Sequence, residues 1–177
     1  CFRGEIEPEL EKAGIVRVTP ESANSEQRKQ LQRLFEEELN PALTPAALQQ
    51  DTPAPYFANL KLHLFVRLKS DSRDEPRLAV LPLVGDLSRF VSLRVPDGYG
   101  YMLLEDVMAM QIHHYFPKDE VLEVIPLRIT SNADMAVSED EALDLVTQMD
   151  AVLTERKQSG CVRLEVPVTA TRVALRQ

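Results

Sequence analysis

The stretch NLKLHLFVRLK, residues 59–69, constrains the fold more than any other part of the chain. Apolar and polar side chains alternate along it. Leu60, Leu62, Leu64, Val66 and Leu68 take one side; Lys61, His63, Phe65, Arg67 and Lys69 take the other. Successive side chains of a strand point to opposite faces, so a period of two demands a β-strand with one buried face. Such a strand needs neighbours to satisfy its backbone groups. Candidates are IVRVTP (15–20), RLAVLPLV (77–84), RFVSLRV (89–95), YGYML (99–103), VLEVIPLRIT (121–130) and CVRLEV (161–166). Pro82 inside the second of these predicts an edge position or a bulge.

Helical periods separate the strands. EIEPELEKAG (5–14) reads as a short helix closed by Gly14. In NSEQRKQLQRLFEEEL (24–39), Asn24 and Gln27 have capping-box spacing, and Leu31, Leu34, Phe35 and Leu39 share a face. Pro41 is expected to stop this helix. TPAALQQ (44–50) has Thr44 as a cap and Pro45 at a first helical position, which suggests one further helical turn. From Leu104 the pattern is helical again: Leu104, Val107, Met108, Ile112, Tyr115 and Phe116 share a face up to Pro117. The stretch from Ser138 to Gly160 reads as a long helix with a Ser138–Glu141 capping box and a basic last turn. Short loops between consecutive strands favour antiparallel pairing. The expected class is α+β: a mostly antiparallel or mixed sheet of about five to seven strands, flanked by three to four helices.

Length and charge narrow the function. A chain of 177 residues suggests one domain, able to bury roughly 70% of its unfolded surface. A net charge of −8 repels nucleic acid at long range. No apolar run reaches the ~20 residues of a membrane helix. Cys1 and Cys161 suit neither a stapling disulfide nor a zinc site, so a reduced, cytoplasmic setting is expected. The start lacks both an initiator Met and a signal-peptide pattern, which fits a processed or trimmed chain.

Residues suited to chemistry are sparse. His113 and His114 are adjacent, so on a helix they point about 100° apart and do not form a metal-clasping pair. No metal site or catalytic residue is read from the chain. The acidic runs suit a solvated helix face (Glu36, Glu37 and Glu38) and a helix start (Glu139, Asp140 and Glu141). No glycine-rich phosphate loop occurs. The least ordinary feature is the basic row Lys61, His63, Arg67 and Lys69. Same-face residues on a strand lie about 7 Å apart, near the spacing of phosphates along a chain. The row reads either as a solvated or helix-covered outer face, or as a site for an anion or an acidic partner. Arg128, Asn132 and Asp134, in RITSNADM, lie at a strand end and turn, which serves turn formation or binding.

Taken in order, several stretches resemble the head, or middle, domain of the large bacterial polyphosphate kinases. They are Phe35-Glu36-Glu37-Glu38 with Pro41 and Leu43-Thr44-Pro45; Asn59-Leu60-Lys61-Leu62; Arg89-Phe90-Val91; Leu104-Glu105-Asp106-Val107; Phe116-Pro117; Arg128 to Asp134; and Val162-Arg163-Leu164-Glu165-Val166. The chain departs from the family where Ser131 replaces an Arg, Thr52-Pro53-Ala54-Pro55 replaces His-Pro-Phe-Pro, Ser88 replaces a Pro and Lys118 replaces a Gly. These changes fit a diverged member, or a relative with altered ligand needs. The resemblance implies a parent enzyme that moves the terminal phosphate of ATP onto polyphosphate through a phosphohistidine, with magnesium. It places the catalytic histidines in C-terminal domains, and none of His63, His113 and His114 matches them. It implies a domain at 15–166, a linker helix at 1–14 and the start of a following element at 167–177. The implied role is non-catalytic: contacts with other domains of the same enzyme and with a second copy in a homo-oligomer. Two other readings stay open, a stand-alone phosphohistidine-handling enzyme and a binding module for an acidic partner.

Overall fold

The computed structural model describes residues 2–48, 57–70, 76–83, 87–131, 161–168 and 170. Its strands form two sheets. The larger has the order β2 (Ala46–Leu48), β4 (Arg77–Leu83), β3 (Leu62–Leu68), β7 (Val121–Ser131) and β8 (Cys161–Glu165), antiparallel throughout. The smaller has β6 (Tyr99–Leu103) between β1 (Ile15–Arg17), which runs parallel to it, and the antiparallel β5 (Phe90–Leu93). The α+β class and the mixed pairing follow the sequence. The division into two sheets does not show in it.

The alternating strand is β3, at the centre of the larger sheet. Its Leu64, Val66 and Leu68 are buried against Ala79, Leu81 and Leu83 of β4. They share one core with Leu31, Phe35 and Leu39 of the long helical segment, Met102 of β6, and Val107 and Met108 of α4 (Leu104–Met110). The other face of the sheet is covered too, since His63, Val80 and Ile125 are buried. Leu60 departs from the expected stripe: it is exposed, adopts a φ of 60° and precedes the strand. It sits in the turn that brings the chain into β3, where its amide donates to the Ile129 carbonyl.

The two prolines inside the described strands, Pro82 and Pro126, have local explanations. β4 is an inner strand, yet β2 pairs only with Leu78 to Val80. Pro82 therefore lies where β2 has already ended. Pro126 of β7 has the same relation to β8, which pairs only from Arg128 onward. A strand tolerates proline where no neighbour on that side needs its missing donor.

The first long helix begins as its sequence dictates. Asn24 accepts from the Gln27 amide and the Gln27 side chain accepts from the Asn24 amide, both at 2.9 Å. Its end differs from expectation. Helical backbone continues from α2 (Ser25–Leu34) through a widened π-turn (Phe35–Leu39) into α3 (Asn40–Ala42), past Pro41. The wide turn shifts the carbonyl that a proline ring would otherwise strike. Residues 46–48 form β2 rather than a helical turn, because three residues cannot nucleate a helix while the side of β4 offers a ready ladder. The helix expected at 138–160 lies outside the described residues.

Two glycines join the smaller sheet to the N-terminal helix α1 (Glu7–Lys12). Gly14 and Gly98 both have positive φ, and the Tyr99 amide donates to the Gly14 carbonyl at 2.7 Å. A Cβ on Gly98 would collide with the Gly14 carbonyl oxygen.

Leu64→Ala should cost about 2–5 kcal/mol, as buried large-to-small changes do, whereas exposed His113→Ala should cost little. Gly98→Ala should cost about 1–3 kcal/mol through backbone strain and that contact. Urea melts of the three variants check the order; equal midpoints would contradict the packing.

Candidate functional site

The basic row does not form a common surface. Lys61 is exposed in the turn before β3. Arg67 faces Glu123 on the adjacent β7, with Nη1–Oε2 at 2.8 Å and side chains only 16% and 17% exposed. Lys69 meets Glu120 at 2.6 Å in the open. Arg77 of β4 meets Asp119 at 2.6 Å. The residues leading into β7 thus supply carboxylates to the cations of β3 and β4. A half-buried charge facing its opposite needs no external counter-ion.

His63 is fully buried. The expectation of a polar-face histidine fails because the second face of the sheet is covered as well as the first. Its Nδ1 lies 3.1 Å from the Lys61 carbonyl, which can only accept, so Nδ1 carries the proton. Nε2 is buried and, among the described residues, has no hydrogen-bond partner, and the Phe57 ring lies 5.2 Å from the imidazole. Burial holds this imidazole below its ordinary value of 6.5, against the opposing effect of the carbonyl. His113 and His114 are exposed on a 3-10 turn (Ile112–His114), where His114 meets Phe35 edge-on.

Charges converge elsewhere, in a groove of about 590 Å³ beside residues 123–127 of β7, where β8 gives no pairing. Arg17 of β1 reaches Asp106 of α4 at 2.9 Å and Glu7 of α1 at 3.6 Å. Burial opposes the charge of Arg17, but the hydrogen bond and charge of Asp106, with Glu7, more than offset it and leave the pKa raised. Arg89 grips Glu105 through Nη2 at 2.5 Å and Nε at 3.1 Å, which raises its pKa despite partial burial. Arg128 lies across the groove, 3.8 Å from Glu165 of β8, with a buried Nε that has no partner among the described residues. Asn132 and Asp134 lie outside the described residues. Among the described residues no group of three or more His, Cys, Asp or Glu side chains could hold a metal ion. Cys161 is free and exposed on β8.

The sequence model described as the polyphosphate kinase middle domain matches residues 26–176. The chain belongs to the polyphosphate kinase family. It is 36% identical over 165 residues to a polyphosphate kinase of Halalkalibacterium halodurans, covering 91% of this chain and 23% of that one. With a Streptomyces coelicolor polyphosphate kinase it shares 35% over 178 residues, 99% of this chain and 23% of the relative. The crystal structure of a Porphyromonas gingivalis polyphosphate kinase superposes with a TM-score of 0.69 at 25% identity, covering 86% of this chain and 26% of that chain. The chain thus spans about a quarter of the length of these relatives.

The groove gives the family stretches a physical reading. Arg89-Phe90-Val91 and Leu104-Glu105-Asp106-Val107 are held together by the Arg89–Glu105 pair. Sequence reasoning singled out Arg128 but passed over Arg17, Arg89, Glu105 and Asp106. The available signal was an unexplained cation in one of these stretches and unexplained acids in the other. Ser131 ends β7 and donates its amide to Asn59 Oδ1 at 3.0 Å, a contact that needs no particular side chain at that position.

Two outcomes follow. Arg67→Glu should cost about 3–5 kcal/mol with a weak salt response, because it sets two carboxylates against each other out of water. Denaturant melts at low and high salt check this. The folded pKa of His63 is depressed, so stability is full above pH 6.5 and falls as pH drops below it, where the unfolded chain takes up a proton that the folded chain refuses. The His63→Leu variant should lose that component of the decline. An unchanged pH profile between pH 7.5 and 5.5 would contradict it.

Proposed function

We propose that this middle domain is the non-catalytic support of a longer polyphosphate kinase, making assembly contacts with the other domains of the enzyme and with a second copy. The observation that supports this reading is how the groove uses its charges. Arg17 and Asp106, and Arg89 and Glu105, bond to each other and so fix α4 against β1 and the start of β5. Charges committed in this way give cohesion rather than turnover. The parent reaction is the transfer of the terminal phosphate of ATP to polyphosphate, with magnesium. In this proposal no step of that transfer runs through the residues described above, and ATP and magnesium belong to the other regions of the enzyme.

A boundary near Ile15 is supported by the pairing of β1 with β6. A cytoplasmic setting is part of the same proposal; among the described residues no helix is long and apolar enough to cross a membrane. The phosphohistidine-handling alternative needs His63 or His113 beside a basic anion pocket; it is weakened because His63 is sealed from solvent and the exposed His113 lines neither the groove beside β7 nor a larger one between α2 and β5. The acidic-partner alternative is weakened because Arg67 and Lys69 already have carboxylate partners.

The purified 177-residue chain, given ATP, magnesium and polyphosphate, should neither lengthen nor shorten the polymer. Turnover above a heat-denatured control would overturn the proposal. Release of phosphate from a phosphohistidine peptide would favour the phosphatase alternative instead.

A further inference from the structure

The connection from β5 to β6 contains an exposed bend, Pro96-Asp97-Gly98, in which an aspartate precedes a glycine. That pair occurs once in the chain. Three aspartates lie among the described residues. Asp106 is held by Arg17 at 2.9 Å and Asp119 by Arg77 at 2.6 Å, and each precedes a residue with a bulky side chain, Val107 or Glu120. Asp97 is the exception. Among the described residues neither its carboxylate nor the Gly98 amide forms a hydrogen bond or an ion pair. The next amide is tied down instead: Tyr99 donates to the Gly14 carbonyl at 2.7 Å, and Gly98 packs so closely on Gly14 that no Cβ fits between them.

We propose that Asp97 is a site of spontaneous isomerisation, cyclising onto Gly98 and reopening as isoaspartate. Closure requires the nitrogen of the following residue to reach the side-chain carboxyl carbon. A Cβ on that residue hinders the approach, whereas glycine has none and has the widest backbone freedom. In the protonated carboxyl the Gly98 nitrogen bonds to Cγ, the Cγ–OH bond breaks, and the hydroxyl leaves with the amide proton as water. Water then opens the succinimide. Attack at the Cγ carbonyl restores aspartate. Attack at the main-chain carbonyl leaves the chain running through Cγ, with the old carbonyl carbon as a free carboxylate. One water leaves and one returns, so mass and charge are unchanged and no co-reactant other than water is needed.

The product carries one more methylene in its main chain, immediately before Gly98. It cannot hold Gly98 against Gly14 and also keep the Tyr99 amide on the Gly14 carbonyl. β1 pairs with β6 alone, over three residues, so its register depends on that corner. Isomerisation therefore frees β1 from the smaller sheet and draws Arg17 away from Asp106.

The test ages the folded 177-residue chain at neutral and mildly acidic pH and maps its peptides by chromatography and mass spectrometry. The peptide spanning residue 97 should split into two of equal mass, the new one resisting an aspartate-specific protease at that residue. Peptides spanning Asp106 and Asp119 should stay single. Asp97→Glu should abolish the new peptide, because closure there needs a larger ring. Asp97→Asn reaches the same succinimide by losing ammonia and should convert faster, with the mass change from amide to acid. The altered side chain is exposed in both variants, so each should keep the parent melting midpoint, and one decides if the other misfolds. In the aged chain the amides of residues 15–17 should show a second population in hydrogen–deuterium exchange, at least about ten-fold faster and equal in share to the isoaspartate. A single peptide at residue 97 after ageing overturns the proposal, as does splitting that is equal at Asp106 or that persists in Asp97→Glu. Splitting without the second exchange population supports the modification and overturns the release of β1.

Discussion

The central strand is buried on both faces, and that constraint governs the rest of the molecule. A strand between two packed layers has no water to offer its polar side chains, and an unpaired charge there costs several kcal/mol. Arg67 is tolerated because β7 sets Glu123 directly opposite it. His63 is tolerated because it stays neutral and gives its one proton to a backbone carbonyl. What looks in sequence like a basic track is therefore part of the internal cohesion of the sheet.

The two grooves show the same accounting with opposite results. Beside β7, each arginine lies within ion-pairing reach of a carboxylate, and the pairs lock helix α4 against both ends of the smaller sheet. Between α2 and β5, Lys29, Arg33, Arg94, Glu26, Glu37 and Glu38 line a second groove, and among the described residues they form no ion pair.

Much of this was legible in advance, for identifiable reasons. β3, the Asn24 capping box and the stripe from Leu31 to Leu39 are local patterns, set by side-chain period and hydrogen-bond spacing within one element. The burial of His63 was not legible, because alternation reveals that one face is apolar but not whether a second layer covers the other. The pairing of Arg89 with Glu105 needs two strands brought together by the β5–β6 hairpin, and no single stretch of sequence contains it. β2 was misread for a related reason: Ala46 to Leu48 has no strand character of its own and takes it from β4. The family resemblance was legible because it depends on the order of stretches rather than on any one contact.

The π-turn at Phe35–Leu39 has a consequence for how this segment can vary. A widened turn holds one residue more than the α-helix around it, in effect an insertion absorbed without breaking the rod. Removing that residue would restore a regular helix and rotate everything downstream by about 100°. Leu39 and Leu43, both buried in the core, would swing away from it, and Pro41 would meet the carbonyl it now avoids. Single-residue gaps should therefore be rare in this segment across the family, because the register from Phe35 to Leu43 leaves no residue to spare.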